Sequence, residues 1–455
     1  MGVHDAVVVV PGIMGSELLD TTTGRTLWGL RDPRWYVNAW TSRAPLQALR
    51  LTEDERAGRY GRVRAAGLLR FPAFAPLLRG FEPYTALTTA LRRVTAHPAA
   101  VLAFPYDWRL PVAHNTTLLA EAADRHLSAW RRHPAYLAAR GKDPDGRPAR
   151  LVIVAHSMGG LLARGLALVQ GATDEVGLTV TFGTPFYGAP EAAVLLSAGR
   201  GLPVPLPAGR VRELAATLPG VHDLLPTYRC LDTGTDARSL EPDDVRDLGG
   251  DRELAECSAR WHSRLSHLAP RRHVQVVGAH QPTVQALRID AGTATGYRYT
   301  CRPAAGGGID RIDLGGDGTV PRQSAQLPRG PAMPLGQTHG AIASTAEALL
   351  IAVDALTGTD TGPWQGGGTI GLDLPDTIEE GRTAGVVVTG AAHPRDVGCR
   401  VVDLAGNRQV DSPVLRPRDG ALVATTCPLG PGLYRVGVAG GGNAPVSQIL
   451  LVGPH

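Results

Sequence analysis

The chain has 455 residues, 43% of them hydrophobic and 19% charged, a balance that excludes an intrinsically disordered protein and a length that favours two domains over one core. Its formal charge of +4 comes from scattered arginines without a basic run, which argues against nucleic acid as a partner. No run of eighteen apolar residues occurs, so no membrane-crossing helix is expected.

The N-terminal segment MGVHDAVVVVPG enters an apolar strand, Ala6 to Val10, with no basic segment, apolar core and cleavage site ahead of it, and a cytoplasmic protein is expected. The turn that follows, Pro11 to Ser16, carries Gly12 and Gly15, which leave room for a substrate carbonyl. An insertion over about 17–80 is read as a cap, and Trp28, Trp35 and Trp40 are read as packing it. A second strand is expected over Ala99 to Phe104, a helix over Leu118 to Trp130, and a third strand over Leu151 to Val154. Further strands follow at Leu178 to Phe182 and His273 to Val277. Between these last two, about 190–265 reads as a lid insertion. Strands alternating with helices predict an α/β fold around a mainly parallel sheet. Asn115-Thr116-Thr117 fits a glycosylation acceptor and is read as a helix start. The five cysteines lack metal-ligand spacing and are expected as free thiols.

From Thr357 to Gly368 the chain turns to Gly, Thr and Asp, a linker composition. Beyond it GVVVTG, CRVVDL, ALVATTC, LYRVGV and SQILLVG recur with turn residues between them, which predicts a small all-β, immunoglobulin-like sandwich. Tyr434, Val436 and Val438 share one face of such a strand. The expected domains are thus 1–357, a linker at 358–368 and a β-sandwich at 369–455. The sandwich is expected to fold separately, to contribute no catalytic group, and to serve recognition.

The chemistry is expected where the third strand ends. In RLVIVAHSMGGLLAR the strand period changes to a helical one at Ser157, with Ala155 and Gly159 as small residues on either side. That pattern fits a nucleophile elbow, which lifts a serine hydroxyl above the carboxyl end of a sheet. A serine nucleophile needs a base, an acid to orient it and donors for the oxyanion. Asp317, in GGDGTVP, and His339, in GQTHG, follow in the order Ser, Asp, His. Asp313 and Asp310 are rivals for the acid, and Asp317 is preferred because Gly315, Gly316 and Gly318 let its backbone turn. His156 is read as packing, because a neighbour of the nucleophile points away. His280, in GAHQPT, is placed to line the pocket. The oxyanion donors are expected to be the backbone N–H groups of Met158 and Ile13, with Gly12 beside the substrate.

In order, VPGIMGSEL, FPYDWR, AHSMGG, TFGTPFYGAP, LPGVHDLLP, GDGTVP and His339 resemble the lecithin:cholesterol acyltransferase family, with its phospholipid:diacylglycerol acyltransferases and lysosomal phospholipase A2-type enzymes. The resemblance implies an α/β-hydrolase fold with cap and lid insertions. It implies Ser157 as nucleophile, His339 as general base, Asp317 as its orienter, and Asp107 and Trp108 beside the acyl pocket, with Asp107 and Arg109 bracing neighbouring loops. The β-rich tail lies outside it. The expected function is hydrolysis of lipid-like or other acyl esters through an acyl-serine intermediate, without cofactor or metal. Two alternatives stand beside it: O-acyl transfer from a phospholipid to an alcohol, and a hydrolase effector regulated by a protein partner through the β-sandwich. Contact with a membrane surface is compatible with all three.

Overall fold

The computed structural model describes residues 3–29, 42–69, 83–142, 146–199, 207–359, 370–391, 393–406, 408–440 and 443–453. Trp35, Trp40 and most of the linker lie outside them. Six strands form the central sheet: β1 (Ala6–Val10), β2 (Val101–Ala103), β3 (Leu151–His156), β4 (Val176–Phe182), β5 (His273–Gly278) and β6 (Ala332–Leu335). Their order is β6-β5-β4-β3-β1-β2, with every pairing parallel.

The unbroken apolar run of β1 follows from its place in the sheet. It pairs on both edges, Val7 lying opposite Val101 on one side and Val152 on the other. Its side chains alternate between two cores. Val7 and Val9 join Val152, Val154, Leu87, Leu91 and Ile351 in one, while Ala6, Val8 and Val10 join Ile153, Leu119, Leu161 and Leu162 in the other. Helices α1 (Pro83–Val94) and, at the chain's later end, Ala346–Thr357 thus cover one face. Helices α2 (Val112–Arg131) and α3 (Met158–Gly165) cover the other, as a parallel sheet buried on both faces requires. The chain leaves β1 for β2 on one side and returns to β3 on the other. This reversal opens a crevice at the carboxyl ends of β1 and β3, the place where such sheets bind ligands.

Strand β6 was not expected from sequence. Pro334 interrupts its period, and the strand exists because it is the sheet edge, where proline costs no ladder bond to a further neighbour.

The first insertion holds a three-stranded antiparallel sheet, Ser16–Asp20, Thr26–Trp28 and Val63–Leu68. The second carries α4 (Pro190–Ala198), α5 (Arg252–Leu265) and shorter helices, and two short strands, Leu231–Asp232 and Ala237–Arg238, that join Ala286–Asp290 and Thr293–Tyr297 in a small sheet. Much of it is tied down by buried polar bonds. Val112 N donates to Asp223 Oδ2 at 2.7 Å, and Arg164, 3% exposed, donates to the carbonyls of Leu265 and Leu268 at the end of α5.

Helix α6 (Ala346–Thr357), capped by the Thr345 side chain, ends the α/β half. The C-terminal region is two sheets. β7 (Gly371–Asp373), β9 (Gly385–Thr389), β12 (Arg416–Arg418) and β13 (Ala421–Thr425) form one in the order β7-β9-β13-β12. β8 (Thr377–Glu379), β10 (Val397–Asp403), β11 (Arg408–Asp411), β14 (Gly432–Gly440) and β15 (Asn443–Gly453) form the other in the order β8-β15-β14-β10-β11. Val386, Val388 and Leu422 of the first meet Val401, Val436, Val438 and Leu450 of the second in a core of their own. All five cysteines are free. No described helix is long and apolar enough to cross a membrane.

Candidate active site

The junction between β3 and α3 bends sharply. Ser157 has φ 52° and ψ −128°, a left-handed conformation that a residue with a side chain adopts only when its surroundings impose it. Ser157 N donates to Phe182 O at the end of β4, which fixes the turn. The glycines that follow are required by crowding. A Cβ on Gly159 would strike the carbonyls of Val10 and Pro11, and one on Gly160 would overlap the Thr184 side chain. With both bare, α3 starts tight against the ends of β1 and β4.

Ser157 Oγ lies 2.8 Å from His339 Nε2, and His339 Nδ1 lies 2.7 Å from Asp317 Oδ2. A carboxylate only accepts, so Nδ1 carries the imidazole proton and Nε2 is left to accept from the serine hydroxyl. Asp317 is 1% exposed. Its other oxygen accepts from Thr319 N at 3.0 Å and Val320 N at 2.7 Å, a turn that orients the carboxylate through its own loop. Backbone bonds also join the two loops, His339 N donating to Asp317 O at 2.7 Å. Gly183, at φ 53°, closes over the pair: a Cβ there would lie 2.8 Å from Asp317 Oδ2 and 3.2 Å from His339 Nδ1.

The loop after β1 forms the opposite wall. A Cβ on Gly12 would come within 2.9 Å of Ser157 Cβ, so only glycine allows this approach. Met14 is held at φ 60°, and its carbonyl accepts from Trp28 Nε1 at 2.9 Å. Among the described residues, neither Ile13 N–H nor Met158 N–H donates to a protein acceptor.

A second chain of hydrogen bonds runs behind the first. Gly12 N donates to the Tyr84 hydroxyl oxygen at 2.8 Å. The Tyr84 hydroxyl lies 3.0 Å from His156 Nδ1, and His156 Nε2 lies 3.0 Å from the His339 carbonyl. That carbonyl only accepts, so Nε2 of His156 carries the proton, Nδ1 accepts, and the tyrosine hydroxyl is the donor. Burial, and then the neighbouring His339, hold the His156 pKa down to about 3, so the ring is neutral. His156 is therefore more than packing: it links the loop after β1 to the loop that carries His339.

Residues 62–241 match the lecithin:cholesterol acyltransferase family. A search of curated sequences finds no match. Among solved structures, the mature form of the lipase BlEst2 from Bacillus licheniformis aligns at 13% identity and a TM-score of 0.34, over 77% of this chain and 91% of the lipase. Its propeptide form aligns at 11% identity and the same TM-score, over 98% of this chain and 92% of the other. The M1 domain of titin aligns at 17% identity and a TM-score of 0.13, over 17% of this chain and 84% of that domain.

Three expected substrate contacts, Asp107, Trp108 and His280, need correction. Asp107 is not open to substrate: its oxygens accept from Arg109 N, Nε and Nη2. Arg109, fully buried, also reaches Glu55 at 2.8 Å and the Leu49 carbonyl, so the pair braces the first insertion. Trp108 is 2% exposed and packs edge-on against Trp28, ring centres 5.6 Å apart, which makes it a support under the Met14 turn. His280 carries its side chain to the surface and makes no bond to Ser157, Asp317 or His339. The rivals for the acid are engaged elsewhere or exposed: Asp313 binds Gln285 Nε2 and Gly315 N, and Asp310 is exposed. Sequence reasoning missed Tyr84, which no motif marks. It also missed Gly183, whose signal was a glycine directly after a buried strand.

A cavity of about 410 Å³ lies under α5, lined by Phe186, Tyr187, Leu240, Val245 and His262 among others. None of Ser157, Asp317 and His339 lines it, so it is separate from the hydrogen-bonded serine. Among the described residues no cluster of His, Cys, Asp and Glu could hold a metal ion.

Proposed function

We propose that the chain hydrolyses lipid-like acyl esters through an acyl-Ser157 intermediate. The observation that carries this reading is the strained Ser157 with its hydroxyl 2.8 Å from His339 Nε2. Ser157 Oγ attacks the ester carbonyl as its proton passes to His339 Nε2. Asp317, bonded to Nδ1–H, keeps the ring in register and stabilises the imidazolium that forms. The oxyanion develops toward the N–H groups of Ile13 and Met158, where two fixed donors offset charge that exists only in the transition state. The C–O bond breaks, and the leaving alcohol takes the proton from His339. Water then attacks the acyl-serine while His339 Nε2 accepts its proton, and release of the acid returns the proton to Ser157.

The same intermediate can be resolved by an alcohol, and the family match favours keeping that second reading. An alcohol in place of water would give a new ester with no change in the residues used. The test is single-turnover acylation with a phospholipid or short ester, followed by release in buffer with and without an added long-chain alcohol. Free acid alone supports hydrolysis. Ester formed in preference to acid supports transfer. No acyl adduct on Ser157 would reject both.

A further inference from the structure

The loops that carry Asp317 and His339 are held on their outer side by the C-terminal sandwich. Gln281, 1% exposed, donates from Nε2 to Ile370 O at 3.0 Å, and its Oε1 accepts from Leu372 N at 3.1 Å. One side-chain amide thus satisfies both a carbonyl and an N–H at the start of the sandwich. The same residue donates its backbone N–H to Gly316 O and bridges to Asp317. On the histidine side, Gln337 Nε2 donates to Pro445 O at 3.0 Å and Thr338 Oγ1 donates to Ser447 O at 3.2 Å, both acceptors on β15. These are the two residues immediately before His339. Between the two contacts Gly371 of β7 lies flat on the His280 carbonyl, with no space for a Cβ. At the rim Arg298 pairs with Asp373 at 2.7 Å.

We propose that the sandwich is a clamp that sets Asp317 and His339 in place, with Gln281, Gln337 and Thr338 as positioning residues. This replaces the expectation of an independent recognition module, and it rests on the reading of Ser157, His339 and Asp317 as the reacting groups. The hydrolase half holds the His339 loop from inside through His156 and the Asp317 loop through its own turn. The sandwich supplies the outer contacts, and they fall on the residues next to the reacting groups rather than on the distant insertions. The buried amides face backbone groups of fixed direction, so a shift of the sandwich would unpair them. Displacement of a reacting group by about 1 Å can cost on the order of a hundredfold in rate, so a clamp here acts on turnover more than on substrate affinity.

The test uses the full chain. Gly371→Val places a wedge on the sandwich side of the contact and alters no residue of the hydrolase half. Gln281→Glu combined with Gln337→Leu removes the donors from the other side. The readouts are kcat and KM on a short soluble ester, the rate at which a fluorophosphonate labels Ser157, and circular dichroism to establish folding. The clamp predicts that kcat and the labelling rate fall together by about ten- to a hundredfold, with KM within about twofold. Folded variants whose kcat and labelling rate stay within about twofold of the parent would overturn it. If both fail to fold, Thr338→Val, which removes one bond, takes their place: a lower kcat at constant KM supports the clamp, and no change rejects it. A parent that neither labels nor hydrolyses would sink the functional reading instead. The clamp is then judged on amide exchange at residues 316–318 and 338–340, which must rise in Gly371→Val and rejects the clamp if it does not.

Discussion

His156 Nε2 donates to the backbone carbonyl of His339 at 3.0 Å, so the residue before the candidate nucleophile holds the candidate base by its main chain. Behind it, Tyr84 joins His156 to Gly12 N–H, and one proton-ordered path fixes the positions of both walls of the site.

Tyr84→Phe keeps the ring and removes the link. Gly12 N–H and His156 Nδ1 lose their partner in a buried setting, which costs about 1–3 kcal/mol of stability. Turnover should fall by roughly tenfold through loss of alignment, with KM nearly constant. Steady-state kinetics and thermal unfolding of the same preparation check both halves. A rise in KM at constant kcat would show that the path serves substrate binding.

His156 also makes a pH prediction. Its folded pKa of about 3 lies below the ordinary 6.5. The unfolded chain therefore takes up a proton near pH 6.5 that the native protein refuses until about pH 3, and stability falls as pH drops through that window. In His156→Gln the slope of stability against pH between pH 6 and 4 should be shallower by about one proton. Urea unfolding at a series of pH values measures it, and equal slopes would mean that His156 is not held neutral.

Asp317→Asn should lower turnover on the order of ten-thousandfold, the effect of leaving a catalytic histidine in the wrong tautomer. Asp313→Asn should change it little, because Asp313 serves Gln285 and its own turn. The ranking of the two variants in one ester assay decides between them.

Glu191, on α4, has its pKa pushed up to about 7 by burial and by the charge of Asp376 from the sandwich. The native protein thus keeps a proton that the unfolded chain gives up above about pH 4.5, and stability is lost as pH rises from there to about 7. Glu191→Gln should raise Tm at pH 8 by roughly 2–4 °C and leave it unchanged near pH 4.5. A gain of equal size at both pH values would assign the effect to packing.

Arg109→Met leaves Asp107 and Glu55 buried without their shared cation. Breaking a buried ion pair from one side costs about 3–5 kcal/mol, which denaturant unfolding would detect. A loss below about 1 kcal/mol would show that the brace is dispensable.

What could be read from sequence divides by range. Strands β1 to β5 of the central sheet and the turn at Ser157 were legible because each is specified locally, by a short apolar run and by small residues flanking one serine. Asp317 and His339 followed from loop composition and chain order. The partners of these groups were not legible. Tyr84 lies 72 positions from His156, and nothing in its neighbourhood signals a polar contact. Gln281 and Gln337 reach acceptors 89 and 108 positions away, and a glutamine in a loop has no local feature that distinguishes a buried clasp from a solvated side chain. His280 misled for the same reason. Its place after a strand suggested a pocket, yet its backbone, at φ 67°, is what meets the sandwich.

Every step of the proposed reaction requires Ser157 to be the nucleophile. The most direct test is the mass of the full chain after reaction with a fluorophosphonate, with the modified peptide sequenced. One adduct is expected, on Ser157 within residues 151–164, absent in Ser157→Ala together with ester hydrolysis, which should fall by about four to six orders of magnitude. An adduct on another residue, or an unlabelled parent that still hydrolyses esters and keeps that activity in Ser157→Ala, would contradict it.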